Sequence, residues 1–321
     1  MNFFENAHEG KNHWLRYVAV MAIAFIAAQI PSIIYIAGLV VKKMSEGNFS
    51  PEQLAGLINL NSQTGFLVLM LTFVFWVGLM WLLFKPFHKR EPMTMISGDR
   101  RFRADRFFGA AGVYFVCLLI FWTLLAIVSP DAFTFHFSTT KFFVGLLLAV
   151  IFAPFQTGCE ELIMRGYLLP GFGLCTKSKI WALVIVTLIF ALLHCNNNEV
   201  SDFGFIRAMI VYLTGSLMFG FFTILNDGIE FSWGMHFAHN FTGFTLFAVE
   251  GNEYGSSPLF TVTKDFASDT LLLIPALEIL ISVALYFIFR KKFGWNIREA
   301  FDSSRLKAVC EGKITTESDF A

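Results

Sequence analysis

Three apolar runs of this chain carry polar side chains that lipid or a packed core would ordinarily exclude. The first reads Gln156-Thr157-Gly158-Cys159-Glu160-Glu161-Leu162-Ile163-Met164-Arg165-Gly166. At helical spacing Gln156, Thr157, Glu160, Glu161 and Arg165 form one stripe. Glu161 and Arg165 stand four apart with the acid first, the order that favours an ion pair. Glu160 lies about 100° round the helix from Glu161, so it is expected to lack a local partner and to be the carboxylate free to exchange a proton. The second run ends Phe190-Ala191-Leu192-Leu193-His194; a lone histidine there is ordinarily an interfacial residue. The third holds Ser232, His236, His239, Asn240 and Gly243 on or beside one face. Two histidines and an asparagine in an apolar run are more than helix packing asks for, although interhelical hydrogen bonds do use both types.

A carboxylate, two or three histidines and an amide can build a hydrolytic site in two ways. In one, Glu160 with His194 activates a water while His236 and Asn240, one turn apart, donate to the oxyanion formed on a carbonyl. In the other, Glu160, His194 and His236 bind zinc, the three protein ligands that a catalytic zinc needs. The preferred reading has no metal and no cofactor. No HExxH or GxSxG pattern is present. Ionisable groups cost about 2.5–3.5 kcal/mol each on insertion into a bilayer and are functional candidates by default. Glu278 and Arg207 are also out of place, either pairing with each other or snorkelling, and they and His239 receive no role.

The elements that must position these residues are membrane helices. Hydrophobic residues make up 56% of the 321, forty of them Phe, and only 15% are charged, which places the chain in the membrane class. A hydrocarbon core needs about 20 apolar residues as helix. Eight stretches meet or approach that: Tyr17–Val41, Thr64–Phe84, Phe108–Val128, Phe142–Leu169, Ile180–Cys195, Phe205–Leu225, Phe231–Val249 and Thr270–Phe289. The fold class expected is all-α, a polytopic transmembrane bundle of about eight spans. The fifth stretch is short and is expected to run on into Asn196–Asn198. Pro31, Pro154 and Pro275 predict kinks, and Ser216, Gly220 and Thr223 predict a small-residue stripe for close packing.

Basic residues crowd the link after the second span, from Lys85 to Arg106, and the tail after Arg290. With an even number of spans both lie on one side, and by the positive-inside rule both termini are cytoplasmic. The expected setting is a cell membrane, of the bacterial inner-membrane kind. The partners expected are the lipid bilayer and a membrane-associated protein or peptide. A net charge of zero gives no basic footprint for nucleic acid. The five cysteines have no paired spacing and read as free thiols. Three units follow: 1–141 with three spans and the basic loop, 142–249 with the polar runs, and 250–321 with the last span and a polar, surface-lying tail.

Taken in order, Glu160-Glu161-x-x-x-Arg165, Phe190-x-x-x-His194 and His236-x-x-x-Asn240 resemble the three motifs of the CPBP family. These are intramembrane endopeptidases similar to the type II CAAX prenyl protease and to bacterial Abi-like proteins. The resemblance implies that Glu160 and His194 activate water, that His236 and Asn240 form the oxyanion site, and that Glu161 and Arg165 support them. Family members are commonly labelled metalloproteases. Two other readings stand beside it: a catalytically inactive member acting by binding, as immunity or scaffold protein, and a proton-coupled transporter.

Overall fold

The structure, a computed structural model, describes residues 2–47, 62–251 and 255–313; the first and third units expected from the sequence each include residues outside that description. In chain order the helices are α1 (Phe3–Asn6), α2 (Trp14–Ala28), α3 (Ile30–Ser45), α4 (Gln63–His88), α5 (Ala104–Val128), α6 (Thr139–Glu161), α7 (Leu169–Thr176), α8 (Lys179–Leu193), α9 (Asn198–Phe203), α10 (Phe205–Asn226), α11 (Glu230–Thr245), α12 (Lys264–Thr270), α13 (Leu273–Phe293), α14 (Ile297–Phe301) and α15 (Ser304–Cys310). A π-helical segment, Leu162–Leu168, joins α6 to α7. Each apolar stretch expected from the sequence falls largely on helix, the first on α2 and α3 together and the fifth and seventh on the shorter α8 and α11.

Among the described residues, 6 helices or helix pairs are long and apolar enough to cross a membrane: Trp14–Ser45, Gln63–His88, Ala104–Val128, Thr139–Thr176, Phe205–Asn226 and Leu273–Phe293. They carry outward-facing apolar side chains such as Leu82, Ile127 and Ile206, at 70%, 70% and 74% exposure, a surface that only lipid suits. The other two expected spans are shorter, α8 with 15 residues and α11 with 16. Both bury much of their length inside the bundle, α11 between α5, α6 and α10, and these are the helices that hold the histidines.

Several boundaries differ from expectation for local reasons. Helix α8 stops at Leu193 with His194 as its C-cap, and a new short helix begins at Asn198, so the fifth span does not run on through the asparagines. Residues Phe247–Val249, expected as helix, form strand β2. It pairs parallel with β3 (Phe260–Val262), which pairs antiparallel with β1 (Phe133–Phe135). Strands of three residues are too short to show an alternating pattern. Pro31 follows a break at Gln29, whereas Pro154 lies inside α6 and Pro275 in the first turn of α13. The C-terminal tail is not simply surface-lying: Trp295, Leu306 and Val309 are buried. The basic link between α4 and α5 is likewise partly interior, since Arg90 and Arg103 are buried and Arg103 pairs with Glu230 at 2.7 Å. The cysteines are free thiols, Cys159 buried and Cys175 exposed.

Helices α6 and α11 meet closely at the site. Gly158 allows this, because a Cβ there would stand 2.5 Å from the Trp233 ring. The Trp233 indole N–H donates to the Pro154 carbonyl at 3.0 Å, which fixes the register of α11 along α6.

Candidate active site

The two carboxylates of α6 end its regular part, and the π-helical segment starts at the next residue. Such segments recur at functional sites because the extra residue per turn re-aims side chains. Glu161 and Arg165 pair as the spacing predicts, at 2.9 Å, and both are fully buried. Arg165 also donates from Nη2 to the Ser216 carbonyl at 3.1 Å and hydroxyl at 2.9 Å. Its guanidinium lies over the Phe190 ring at 4.6 Å and the Phe219 ring at 5.5 Å. Ser216 is therefore an acceptor for Arg165, a role the small-residue stripe did not assign to it.

The same Glu161 oxygen that holds Arg165 accepts from His236 Nδ1 at 2.9 Å. An ionised carboxylate only accepts, so Nδ1 carries a hydrogen. His236 Nε2 then faces Glu160 Oε2 at 3.6 Å, and it donates when the ring carries both protons and accepts when it carries one. The imidazole stacks on Phe219 at 4.8 Å. Glu161 thus reaches the site through His236, while Arg165 and Glu161 themselves lie behind it.

Glu160 is not without a partner, as the spacing argument had it. Gln156, one turn back, donates to Glu160 Oε1 at 2.5 Å and accepts from the Asn240 amide at 2.7 Å. The stripe places Gln156 correctly, but only the docking of α11 shows that its amide bridges Glu160 to Asn240. His194 donates from Nδ1 to the Phe190 carbonyl at 2.7 Å. That leaves Nε2 as the acceptor nitrogen, with the ring held between Phe190 at 4.3 Å and Tyr212 at 4.6 Å. The Tyr212 hydroxyl is fixed in turn by Asn197 and Glu199, each at 3.1 Å. Tyr212, Asn197 and Glu199 gave no sequence signal, being ordinary polar residues near helix ends.

Glu160, His194, His236 and Asn240 all line one cavity of about 590 Å³. Leu69, Trp122, Phe247 and Leu271, near helix ends opposite the termini, line it as well. Among the described residues its walls carry three carboxylates, Glu160, Glu199 and Glu278, and no lysine or arginine. His239 reaches it too. Arg207 and Glu278 do not pair; Arg207 bonds to Ser268. Among the described residues no three His, Cys, Asp or Glu side chains are grouped so as to hold a metal ion. The Nδ1 atoms of His236 and His194 are engaged by Glu161 and by the Phe190 carbonyl, which leaves Nε2 as the nitrogen each ring has to offer.

Residues 139–242 match the family described as type II CAAX prenyl endopeptidase Rce1-like. All seven residues named in the three motifs fall within that match. A relative from Bacillus subtilis (strain 168), named "Uncharacterized protein YyaK", is 33% identical over 195 residues, which is 60% of this chain and 64% of the relative. No solved structure matches.

Proposed function

Because this chain carries an Rce1-like region of the type II CAAX prenyl endopeptidase family at residues 139–242, we propose that it is an intramembrane endopeptidase hydrolysing a membrane-associated protein or peptide. The observation that carries the proposal is the shared cavity: four side chains from three separate apolar runs of the sequence line a single space.

In this reading a water sits between Glu160 and His194. Glu160, or the free Nε2 of His194, takes its proton as the oxygen attacks the scissile carbonyl. The developing oxyanion accepts from the Asn240 amide and from Nε2 of doubly protonated His236. Asn240 is spent on Gln156 at rest, so substrate binding exchanges that bond for one to the oxyanion. Collapse expels the amine, which takes a proton from the group that received it. Glu161 and Arg165 are positioning residues. They fix the His236 ring so that Nε2, not Nδ1, faces the cavity. No step uses a metal. The basic ends of the helices face the cytoplasm with both termini, and the cavity extends toward the opposite side.

Purified full-length protein in detergent, given a peptide library, tests this. Wild type should cleave and Glu160→Ala should not, and cleavage should survive chelation. Equal cleavage by Glu160→Ala would overturn the site assignment. Activity that vanishes on chelation and returns with zinc alone would restore the three-ligand reading.

A further inference from the structure

Beyond the motif residues the cavity reaches α13, where Glu278 is the one carboxylate in an apolar helix. Only 4% of Glu278 is exposed, and its Oε2 has no hydrogen-bond partner. The other two carboxylates of the wall are engaged, Glu160 by Gln156 and Glu199 by Tyr212. Two further buried polar atoms nearby are also unpartnered, His239 Nδ1 and the Tyr114 hydroxyl. The Tyr114 and His239 rings lie 6.4 Å apart, and Tyr114 lies within electrostatic reach of Glu278. Gly215 of α10 makes the berth: a Cβ there would stand 3.2 Å from Glu278 Oε1. A carboxylate kept in an apolar wall with no cation is costly, and neither its own helix nor α10 relieves it.

We propose that the Glu278 end of the cavity is a specificity subsite for a basic side chain of the substrate. The proposal rests on the protease reading and adds a substrate class to it. A lysine entering here would lay its methylene stem along Leu118, Trp122 and Ile274, which line the same cavity, with its ammonium at the end. The ammonium would donate to Glu278 Oε2 and to His239 Nδ1, both residues of the cavity lining. Three carboxylates and no lysine or arginine among the described lining residues make the cavity attractive to positive charge as a whole, and of those carboxylates only Glu278 has a buried oxygen without a partner.

The test uses apolar peptides carrying one lysine moved stepwise along the sequence, each matched by a norleucine peptide of the same shape. Lysine at one fixed distance from the cleaved bond should raise kcat/KM at least about tenfold, chiefly through KM, as expected for a desolvated charge pair. Glu278→Gln keeps shape and hydrogen bonding but removes the charge, so the lysine preference should fall to near unity. Gly215→Ala keeps the charge but pushes the carboxylate aside, and should weaken the same preference. Cleavage without lysine preference at any position, or a preference intact in Glu278→Gln, overturns the subsite while leaving the protease reading in place. If wild type cleaves nothing, the protease reading fails. Binding of the same peptides, labelled with a fluorophore, to the Glu160→Gln protein then decides the subsite. Lysine binding over norleucine that depends on Glu278 supports it, and equal binding overturns it.

Discussion

Two buried arginine–glutamate pairs hold this molecule, and they are built differently. At the basic end Arg103 grips Glu230 in a fork, Nε and Nη2 each 2.7 Å from one carboxylate oxygen. Its backbone N–H adds a third bond at 3.1 Å, and Asn226 approaches the second oxygen at 3.4 Å. Burial alone would lower the Arg103 pKa, but the hydrogen bonds and charge of Glu230 raise it overall. Within the bundle Arg165 meets Glu161 through one nitrogen, and that same oxygen takes His236. The second Glu161 oxygen and Arg165 Nε are left without partners. A saturated pair joins chain segments 127 residues apart and has nothing left to offer. The unsaturated pair spends its carboxylate on one imidazole, with Arg165 held from behind by Ser216. We read the first as a staple and the second as a positioning device, which is what a site built on rigid elements requires.

The comparison breaks if the positioning pair itself performs the chemistry, so the largest expected effect belongs to a residue outside both pairs. Glu160→Gln is nearly isosteric yet cannot take a proton from water. Its cleavage should fall to background while its melting temperature in detergent stays that of wild type. Next, loss of one oxyanion donor costs about 10²–10³ in rate, so Asn240→Ala should leave a small but measurable activity. Glu161→Gln and Glu230→Gln then set the pairs directly against each other. Breaking a buried pair from one side costs roughly 3–5 kcal/mol, so both should melt early. The folded fraction of Glu230→Gln should keep wild-type kcat/KM. That of Glu161→Gln should not, because the His236 ring has lost its anchor. Equal specific activity in the two variants would erase the distinction.

The unsaturated pair was legible in the sequence and the saturated one was not, and the reason is physical. Glu161 and Arg165 are four apart in one helix, so their contact is a local consequence of helix geometry. His236 and Asn240 stood out because polar groups in an apolar run are conspicuous, whereas His194, at a span end, read as interfacial until the ordered motifs singled it out. Arg103 instead looks like one more cation in a basic loop, and nothing local joins it to Glu230. Gln156 was visible as part of the stripe, but its bridge to Asn240 exists only once α11 has docked on α6. The end of α8 at Leu193 was missed because His194 can both continue a helix and cap it, and its bond to the Phe190 carbonyl chose the cap. The sheet was missed because its strands are too short to carry a period.

The smallest effect tests how the positioning pair is held from behind. Ser216 reads in the sequence as a small residue that lets helices approach, and on that reading Ser216→Ala is neutral or slightly favourable. In the structure its hydroxyl accepts from Arg165 Nη2 at 2.9 Å in a fully enclosed place, with the Ser216 carbonyl also in reach at 3.1 Å. Alanine fits the same space but removes one acceptor from a buried cation, leaving the carbonyl to serve alone. A hydrogen bond to a charged group contributes about 1.5–3 kcal/mol, and the remaining carbonyl should hold the loss near the lower figure. The variant should therefore melt a few degrees early, with kcat/KM reduced only severalfold, since Glu161 still anchors His236. Ser216→Thr, which restores the hydroxyl at the cost of one methyl group, would separate lost bonding from altered packing. If Ser216→Ala melts with wild type while Ser216→Thr is the unstable protein, packing governs this position, and Arg165 is held by Glu161 and the backbone alone.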